Sequence, residues 1–160
     1  MKTENDKTTN EAQIRERLDD WAKAVRAKDV DGLMSKYSAD ILLFDLAPRL
    51  QYQGADICRK SWADWFATFR DNVGYEIAEL KITSSDGVAF CHSLNHIHGT
   101  RTDGEQTDVW VRATVGLRKL NGRWTITHEH YSVPFYMEPP YKAATDLNPE
   151  QMDSLTLGDN

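Results

Sequence analysis

Long apolar runs are missing from this sequence, and an excess of basic residues is missing as well. No stretch approaches the about 20 apolar residues that a membrane-spanning helix needs, and the first ten residues, MKTENDKTTN, lack the apolar segment of a signal peptide. The formal net charge is −6, with 19 Lys and Arg against 25 Asp and Glu. Nucleic-acid binding needs clustered positive charge. We therefore expect no membrane partner, no nucleic-acid partner and a cytoplasmic location.

Cysteine is also scarce, because the chain contains only Cys58 and Cys91. Two cysteines are too few for a disulfide framework, so we interpret them as small buried hydrophobic residues in a reducing compartment. The chain does have the length and composition of one soluble domain. Its 160 residues, 40% of them hydrophobic and 28% charged, can bury a core of their own.

Hydrophobic periodicity predicts helices in the first half of the chain and strands in the second. The predicted domain spans residues 11–136, after a disordered stretch over 1–10 and before an irregular tail over 137–160. Helical spacing of apolar residues covers 11–28, 28–37 and 55–70, and strand patterns cover 41–46, 50–54, 75–83, 88–101, 106–120 and 123–133. Helices followed by an antiparallel meander indicate an α+β fold in which the helices pack on one face of a curved sheet. Such a sheet, wrapped around a helix, forms a cone whose open end is a natural pocket.

The segment WTITHEHYSVPF (124–135) raises the question of which sheet face its histidines occupy. A two-residue hairpin loop at Asn121–Gly122 predicts that His128 lies opposite Val115 and that His130 lies opposite Ala113. Because side chains alternate along a strand, both imidazoles are then expected on the inner, apolar face. Glu129 is expected on the outer face.

The preceding hairpin leaves two alternatives for His92 and His96. A two-residue loop at Asp103–Gly104 places both on the inner face, whereas a three-residue loop over 102–104 with a bulge places both outside. We favour the inner placement because Phe90 and Leu94 have the same strand parity.

Four segments carry a family resemblance, and their order and spacing matter more than any one of them. They are WAKAVRAKDVDGLMSKYSAD (21–40), FDLAP (44–48), Gly54 and RATVGLRKLNGRWTITHEHYSVP (112–134). On these the chain resembles, from about residue 14 to 134, the SnoaL-like and ketosteroid-isomerase-like branch of the nuclear transport factor 2-like (NTF2-like) superfamily. The resemblance implies a cone-like α+β barrel, also called cystatin-like.

The resemblance further implies a homodimer formed through the outer sheet face. We expect Trp110, Arg112, Thr114 and Tyr131 to present large side chains on that face, because aromatic residues and Arg are enriched at interfaces.

The resemblance implies that Asp45 in FDLAP is a general base, although a strand-end aspartate also commonly binds nearby backbone N–H groups. Trp21 stands where ketosteroid isomerase has an oxyanion-binding tyrosine. His130 is the second candidate catalytic residue, because imidazole titrates near neutral pH. Its alternative is a core histidine bonded to a backbone carbonyl or to Tyr37.

Two functions remain open from the sequence. The first is an isomerase, cyclase or hydratase acting on a small hydrophobic carbonyl compound, in which Asp45 moves the proton. His130, with Trp21 or Tyr37, would then stabilise the oxyanion, and the ligand-binding residues would be Trp21, Tyr37, Trp65, His92, His96 and His128. The second is a non-catalytic ligand-binding or dimerisation module. We expect no cofactor and no metal, because HEHYSVP has no accompanying metal motif.

Overall fold

The computed structural model describes residues 4–151, which fold into an N-terminal helical region followed by strands. The helices are α1 (Glu4–Arg26), α2 (Val30–Met34) and α3 (Ala55–Ala67), with a 3₁₀ helix at Pro149–Gln151. The strands are β1 (Tyr37–Phe44), β2 (Tyr52–Gln53), β3 (Gly74–Ser85), β4 (Val88–Thr100), β5 (Gln106–Leu120) and β6 (Arg123–Ser132). Residues 4–10, expected to be disordered, belong to α1. The last part of the predicted tail, 152–160, lies outside the described residues.

The strands form one curved sheet in the order β2-β1-β6-β5-β4-β3. The antiparallel meander of β3 to β6 is as predicted. Strand β1 pairs with β6 in the parallel direction, so the sheet is mixed, a feature that the local sequence pattern did not indicate. The α+β fold class is confirmed.

The hydrophobic core lies between α1, α3 and the inner face of the sheet, with α1 packed on β3 and α3 packed on β1. Helix α1 buries a stripe at helical spacing, and α3 buries Cys58, Trp62 and Phe66. Both cysteines are buried and unpaired, as expected. Among the helices within residues 4–151, none has the length and apolar character needed to cross a membrane.

A bulge in β6 changes which side chains enter the domain. Leu117 lies opposite Ile126 as the hairpin predicts, but Thr127 is an extra residue, and Gly116 then lies opposite His128. Beyond the bulge the strand has shifted by one residue, and such a shift reverses the two faces. The predicted inward orientation of the two histidines in this strand is therefore wrong. Its next inward-facing residue is Glu129, which is 1% exposed.

The hairpin between β4 and β5 follows the second alternative. The backbone N–H of Arg101 donates to the carbonyl of Glu105 over 2.8 Å, enclosing a three-residue loop. Consequently His92 lies opposite Thr114 and His96 opposite Trp110, all on the outer face. The favoured inward placement of His92 and His96 is wrong, because the loop is one residue longer than the version that we preferred.

The outer sheet face carries most of the residues that we expected at a dimer interface. Arg112 and Thr114 are exposed there, and Trp110 is half-buried beneath its neighbours. Tyr131 is not among them, since the bulge turns its side chain into the domain, where it is 8% exposed. A homodimer formed through this face stays a prediction.

Candidate functional site

A cavity of about 340 Å³ opens between α3 and the inner face of the sheet. This volume is at the lower end of the about 300–1,000 Å³ that is usual for small-molecule sites. Its apolar walls are formed by Leu43, Trp62, Trp65, Ile97 and Val111. The polar groups in its lining come from Asp45, Ser61, Tyr75, Arg101 and Tyr131. An apolar cavity with a few polar groups suits a small, largely hydrophobic ligand.

Asp45 follows the last residue of β1 and is half-buried at the wall of this cavity. The backbone N–H of Leu46 donates to Oδ1 of Asp45 over 2.7 Å, so the local backbone bond that the sequence suggested is present. Burial raises the pKa of the Asp45 carboxyl, and this single hydrogen bond lowers it only in part. A carboxylate with a raised pKa is a stronger base than an exposed one.

Glu129 lies behind the cavity, at the centre of a buried network of polar side chains. The hydroxyl of Tyr37 donates to Oε2 of Glu129 over 2.6 Å. The same hydroxyl accepts the indole N–H of Trp62 over 3.0 Å and that of Trp21 over 3.3 Å. Because both indoles can only donate, the Tyr37 proton is directed towards Glu129.

The pKa of Glu129 is raised to about 8, mainly by burial and to a smaller extent by the charge of Asp45, while the hydrogen bonds with Tyr37 and Tyr131 act in the opposite direction. At neutral pH the carboxyl is therefore mainly protonated and uncharged. A neutral carboxylic acid can donate one hydrogen bond and accept others.

Two tyrosines connect Glu129 to the cavity. The hydroxyl of Tyr131 interacts with both Glu129 and the hydroxyl of Tyr75, and both tyrosines line the cavity. Tyr75 accepts the side-chain N–H of Asn95 over 2.8 Å, and the side chain of Ser93 donates to Oδ1 of Asn95 over 2.7 Å. The hydroxyl of Tyr131 is thus held in place by Glu129, and the hydroxyl of Tyr75 is held by Asn95.

Arg101 supplies a positive charge at the cavity wall. Its Nη1 donates to the hydroxyl of Thr68 over 2.8 Å, and its guanidinium lies 5.1 Å from the centre of the Phe69 ring. These contacts fix the guanidinium beside the cavity, where it can attract an electron-rich group of a ligand.

The two histidines of β6 lie away from the cavity. Nδ1 of His128 lies 2.8 Å from the carbonyl oxygen of Leu42, and its ring packs edge-on against Phe44 at 4.9 Å. His130 is exposed and borders a shallow surface depression formed with residues 44–50. The prediction that His130 shares the interior pocket with Asp45 is wrong, since the bulge at Thr127 turns it outwards.

The remaining sequence candidates divide by their distance from the cavity. Trp65 lines it, whereas Trp21 and Tyr37 belong to the network behind it. His92 and His96 are on the other face of the sheet.

Sequence reasoning missed Glu129 and Tyr131, although a signal for them was present. Apolar side chains occupy even-numbered positions at Trp124 and Ile126 and odd-numbered positions at Tyr131 and Val133. Such a change of phase within one strand indicates a bulge between the two pairs.

Comparison with known proteins places this fold and cavity in context. A family model for the SnoaL-like domain matches residues 14–136. The chain is 34% identical to an NTF2-like protein of unknown function from Pseudomonas putida KT2440, over 89% of this chain and 98% of that one, with a TM-score of 0.81. No curated protein matches it in sequence.

More distant solved structures share the fold alone. A ketosteroid isomerase-like protein from Erwinia carotovora atroseptica is 23% identical, over 76% of this chain and 93% of that one, with a TM-score of 0.66. An NTF2-like superfamily protein from Salmonella enterica is 18% identical, over 83% and 96% of the two chains, with a TM-score of 0.71.

Proposed function

The chain belongs to the SnoaL-like domain family, and on this basis we propose that its interior cavity carries out proton transfer on a small hydrophobic carbonyl compound. The reaction would be of isomerase, cyclase or hydratase type. The observation that supports this proposal is the presence of Asp45, a half-buried carboxylate with a raised pKa, in the same apolar cavity as two tyrosine hydroxyls.

Asp45 is the proposed general base. It is the carboxylate in the cavity lining, which also includes Tyr75, and its charge raises the pKa of both Tyr75 and Glu129. A base of this kind removes a proton from the carbon next to a carbonyl group, and its efficiency increases as its pKa approaches the working pH.

Tyr131 is the proposed donor to the oxyanion that forms when this proton leaves. The neutral Glu129 can donate its own proton to the Tyr131 oxygen, and the O–H of Tyr131, which interacts with Tyr75, would turn to a ligand oxygen when one enters the cavity. Tyr37, held by two indole N–H groups, donates to Oε2 of Glu129 and keeps that carboxyl in place. In this proposal Tyr131 and Glu129 take the role that the sequence assigned to His130.

This arrangement is chemically similar to the oxyanion site of ketosteroid isomerase, in which a tyrosine acts with an aspartic acid kept neutral by its apolar surroundings. Here the neutral carboxyl is Glu129 on β6, and it acts through Tyr131 instead of touching the ligand. The apolar walls favour a ligand with a ring or a short aliphatic body, and Arg101 can attract its oxygen atoms.

The proposal can be tested without knowing the natural substrate. A panel of enolisable aromatic and alicyclic ketones is incubated with the protein in D₂O, and exchange of the proton next to the carbonyl is followed by NMR. We expect catalysed exchange that falls by about 10²–10⁴-fold in Asp45→Asn, the range for loss of a general base.

Asp40→Asn is the matched control, because Asp40 is on the same strand but exposed, and it should exchange the ketones at the wild-type rate. Equal exchange by Asp45→Asn would refute the assignment of the base. Ketones that bind in the cavity without any exchange would instead support the non-catalytic ligand-binding module.

A further inference from the structure

A cluster of side chains on the outer sheet face has the composition of a metal site and is separate from the cavity. His96 and His98 both point outwards from β4, and Glu76 lies beside them on β3, directly opposite His96. One nitrogen from each histidine and one oxygen of Glu76 all lie within 4.8 Å of one another. We propose that Glu76, His96 and His98 bind a divalent first-row transition-metal cation such as Zn²⁺.

The distances are close to those that such an ion requires. Nδ1 of His96 is 3.7 Å from Oε2 of Glu76, and Nε2 of His98 is 3.7 Å from Oε1 of Glu76. Metal–ligand bonds of about 2.0–2.2 Å put neighbouring ligand atoms of a tetrahedral site about 3.4 Å apart. One atom from each ligand lies within 4.8 Å of the others, so side-chain rotations have to bring them closer by up to about 1.4 Å to surround an ion. Two imidazoles and a carboxylate form a donor set that suits Zn²⁺ and its neighbours in the first row.

The surroundings of His96 are a second, independent observation. Its other ring nitrogen, Nε2, lies 2.7 Å from Oδ1 of Asp108 on β5. Its ring is stacked on Trp110, with the ring centres 4.7 Å apart and the planes 5° from parallel. Histidines that bind metals commonly donate their second N–H to a carboxylate in this way, which fixes the tautomer and the ring orientation. Nδ1 of His96 is thereby directed to the side of Glu76.

The backbone also leaves room for His98. Gly74 lies opposite His98 in the β3–β4 pair, and a β-carbon at residue 74 would collide with the imidazole ring. A residue without a side chain at this position lets the ring lie against the strand and face Glu76. The three ligands leave coordination positions open to water, and the site does not depend on the function proposed for the inner cavity.

The test uses untagged protein freed of metal with a chelator and titrated with ZnCl₂ by calorimetry, together with Co²⁺ absorption spectroscopy. We expect one Zn²⁺ per chain. His98→Ala and Glu76→Gln should each weaken Zn²⁺ binding by more than about 10-fold, and Asp108→Asn by about 10-fold, as for loss of a carboxylate behind a metal ligand. Gly74→Ala keeps all the ligands but displaces the His98 ring, and it should weaken binding too.

His92→Ala is the matched control, because His92 is exposed on the same strand and the same face but outside the cluster. Its Zn²⁺ affinity should equal that of the wild type. Wild-type affinity in His98→Ala, or an equal loss in His92→Ala, would overturn the proposal. So would half an ion per chain with dimerisation driven by Zn²⁺ in sedimentation experiments, since that result would place the ion between two copies.

Discussion

The two faces of strand β6 place neighbouring titratable side chains in opposite environments. Glu129 is 1% exposed and lies among the hydroxyls of Tyr37 and Tyr131, whereas His130, the next residue, is exposed to solvent. Inside, removal of water favours the neutral carboxylic acid and raises its pKa to about 8. The face that a residue occupies, and not its type alone, therefore decides what its side chain can do.

The same contrast extends to the neighbouring strands. The inner face of the sheet joins Tyr75, Asn95 and Tyr131 into a network that reaches a cavity. The outer face gathers His96, His98 and carboxylates near solvent. Burying a polar group on the inner face costs free energy unless the group forms a hydrogen bond. The side chains on the outer face are hydrated and can replace their bound water with a metal ion.

The sharpest way to break this comparison is to exchange the two neighbouring side chains. The double substitution Glu129→His with His130→Glu puts an imidazole at the buried position and a carboxylate at the exposed one, so the hydroxyl of Tyr37 loses the carboxyl group to which it donates. We expect the free energy of unfolding to fall by about 3 kcal/mol or more, the upper end of what a substitution at a buried site costs. Urea unfolding followed by circular dichroism measures it.

Thr127→Val changes a side chain of the same strand that lies outside the Glu129 network, and it serves as the control. Its free energy of unfolding should stay within about 1 kcal/mol of the wild type. An exchange variant as stable as the wild type would show that the two positions do not differ in which side chain they require.

A second prediction concerns the charge state of the inner carboxyl. The folded-state pKa of Glu129 is about 8, raised from its ordinary value of 4.5, so between these values the folded protein retains a proton that the unfolded chain has lost. The contribution of Glu129 to stability is complete below pH 4.5 and decreases as the pH rises through 8. Its maximum slope is about 1.4 kcal/mol per pH unit.

Glu129→Gln keeps the shape of the side chain and cannot ionise. The free energy of unfolding, measured in urea at several pH values, should therefore fall more steeply for the wild type than for this variant. Parallel curves for the two proteins would contradict a raised pKa at Glu129.

The smallest effect is expected from a substitution of His130, the exposed residue next to Glu129. His130→Ala should change the free energy of unfolding by no more than about 0.5 kcal/mol, as is usual for an exposed side chain, and should leave ketone exchange unchanged. Stopped exchange in this variant, with the fold intact, would show that the outer face takes part in the chemistry of the cavity.

The sequence by itself determined the elements of this protein and their order. Helical and strand periodicity is a local property, so the α+β class, the Asn121–Gly122 hairpin and the buried cysteines could be predicted from neighbouring residues. The position of Asp45 at the end of the first strand and that of Trp65 on the third helix followed in the same way, and both residues line the cavity.

Only the tertiary structure decided which side chains meet. Thr127 bulges in a strand that pairs with both β1 and β5, and this one extra residue puts Glu129 instead of His130 on the inner face. In the same way, Glu76 and His98 come together only through the pairing of β3 with β4. Strand alternation has a period of two, so a single residue gained at a bulge or a loop reverses every later orientation. The phase change in β6 marks its bulge in the sequence, but the length of the β4–β5 loop and the residues that meet across strands depend on strand pairing, which local sequence does not encode.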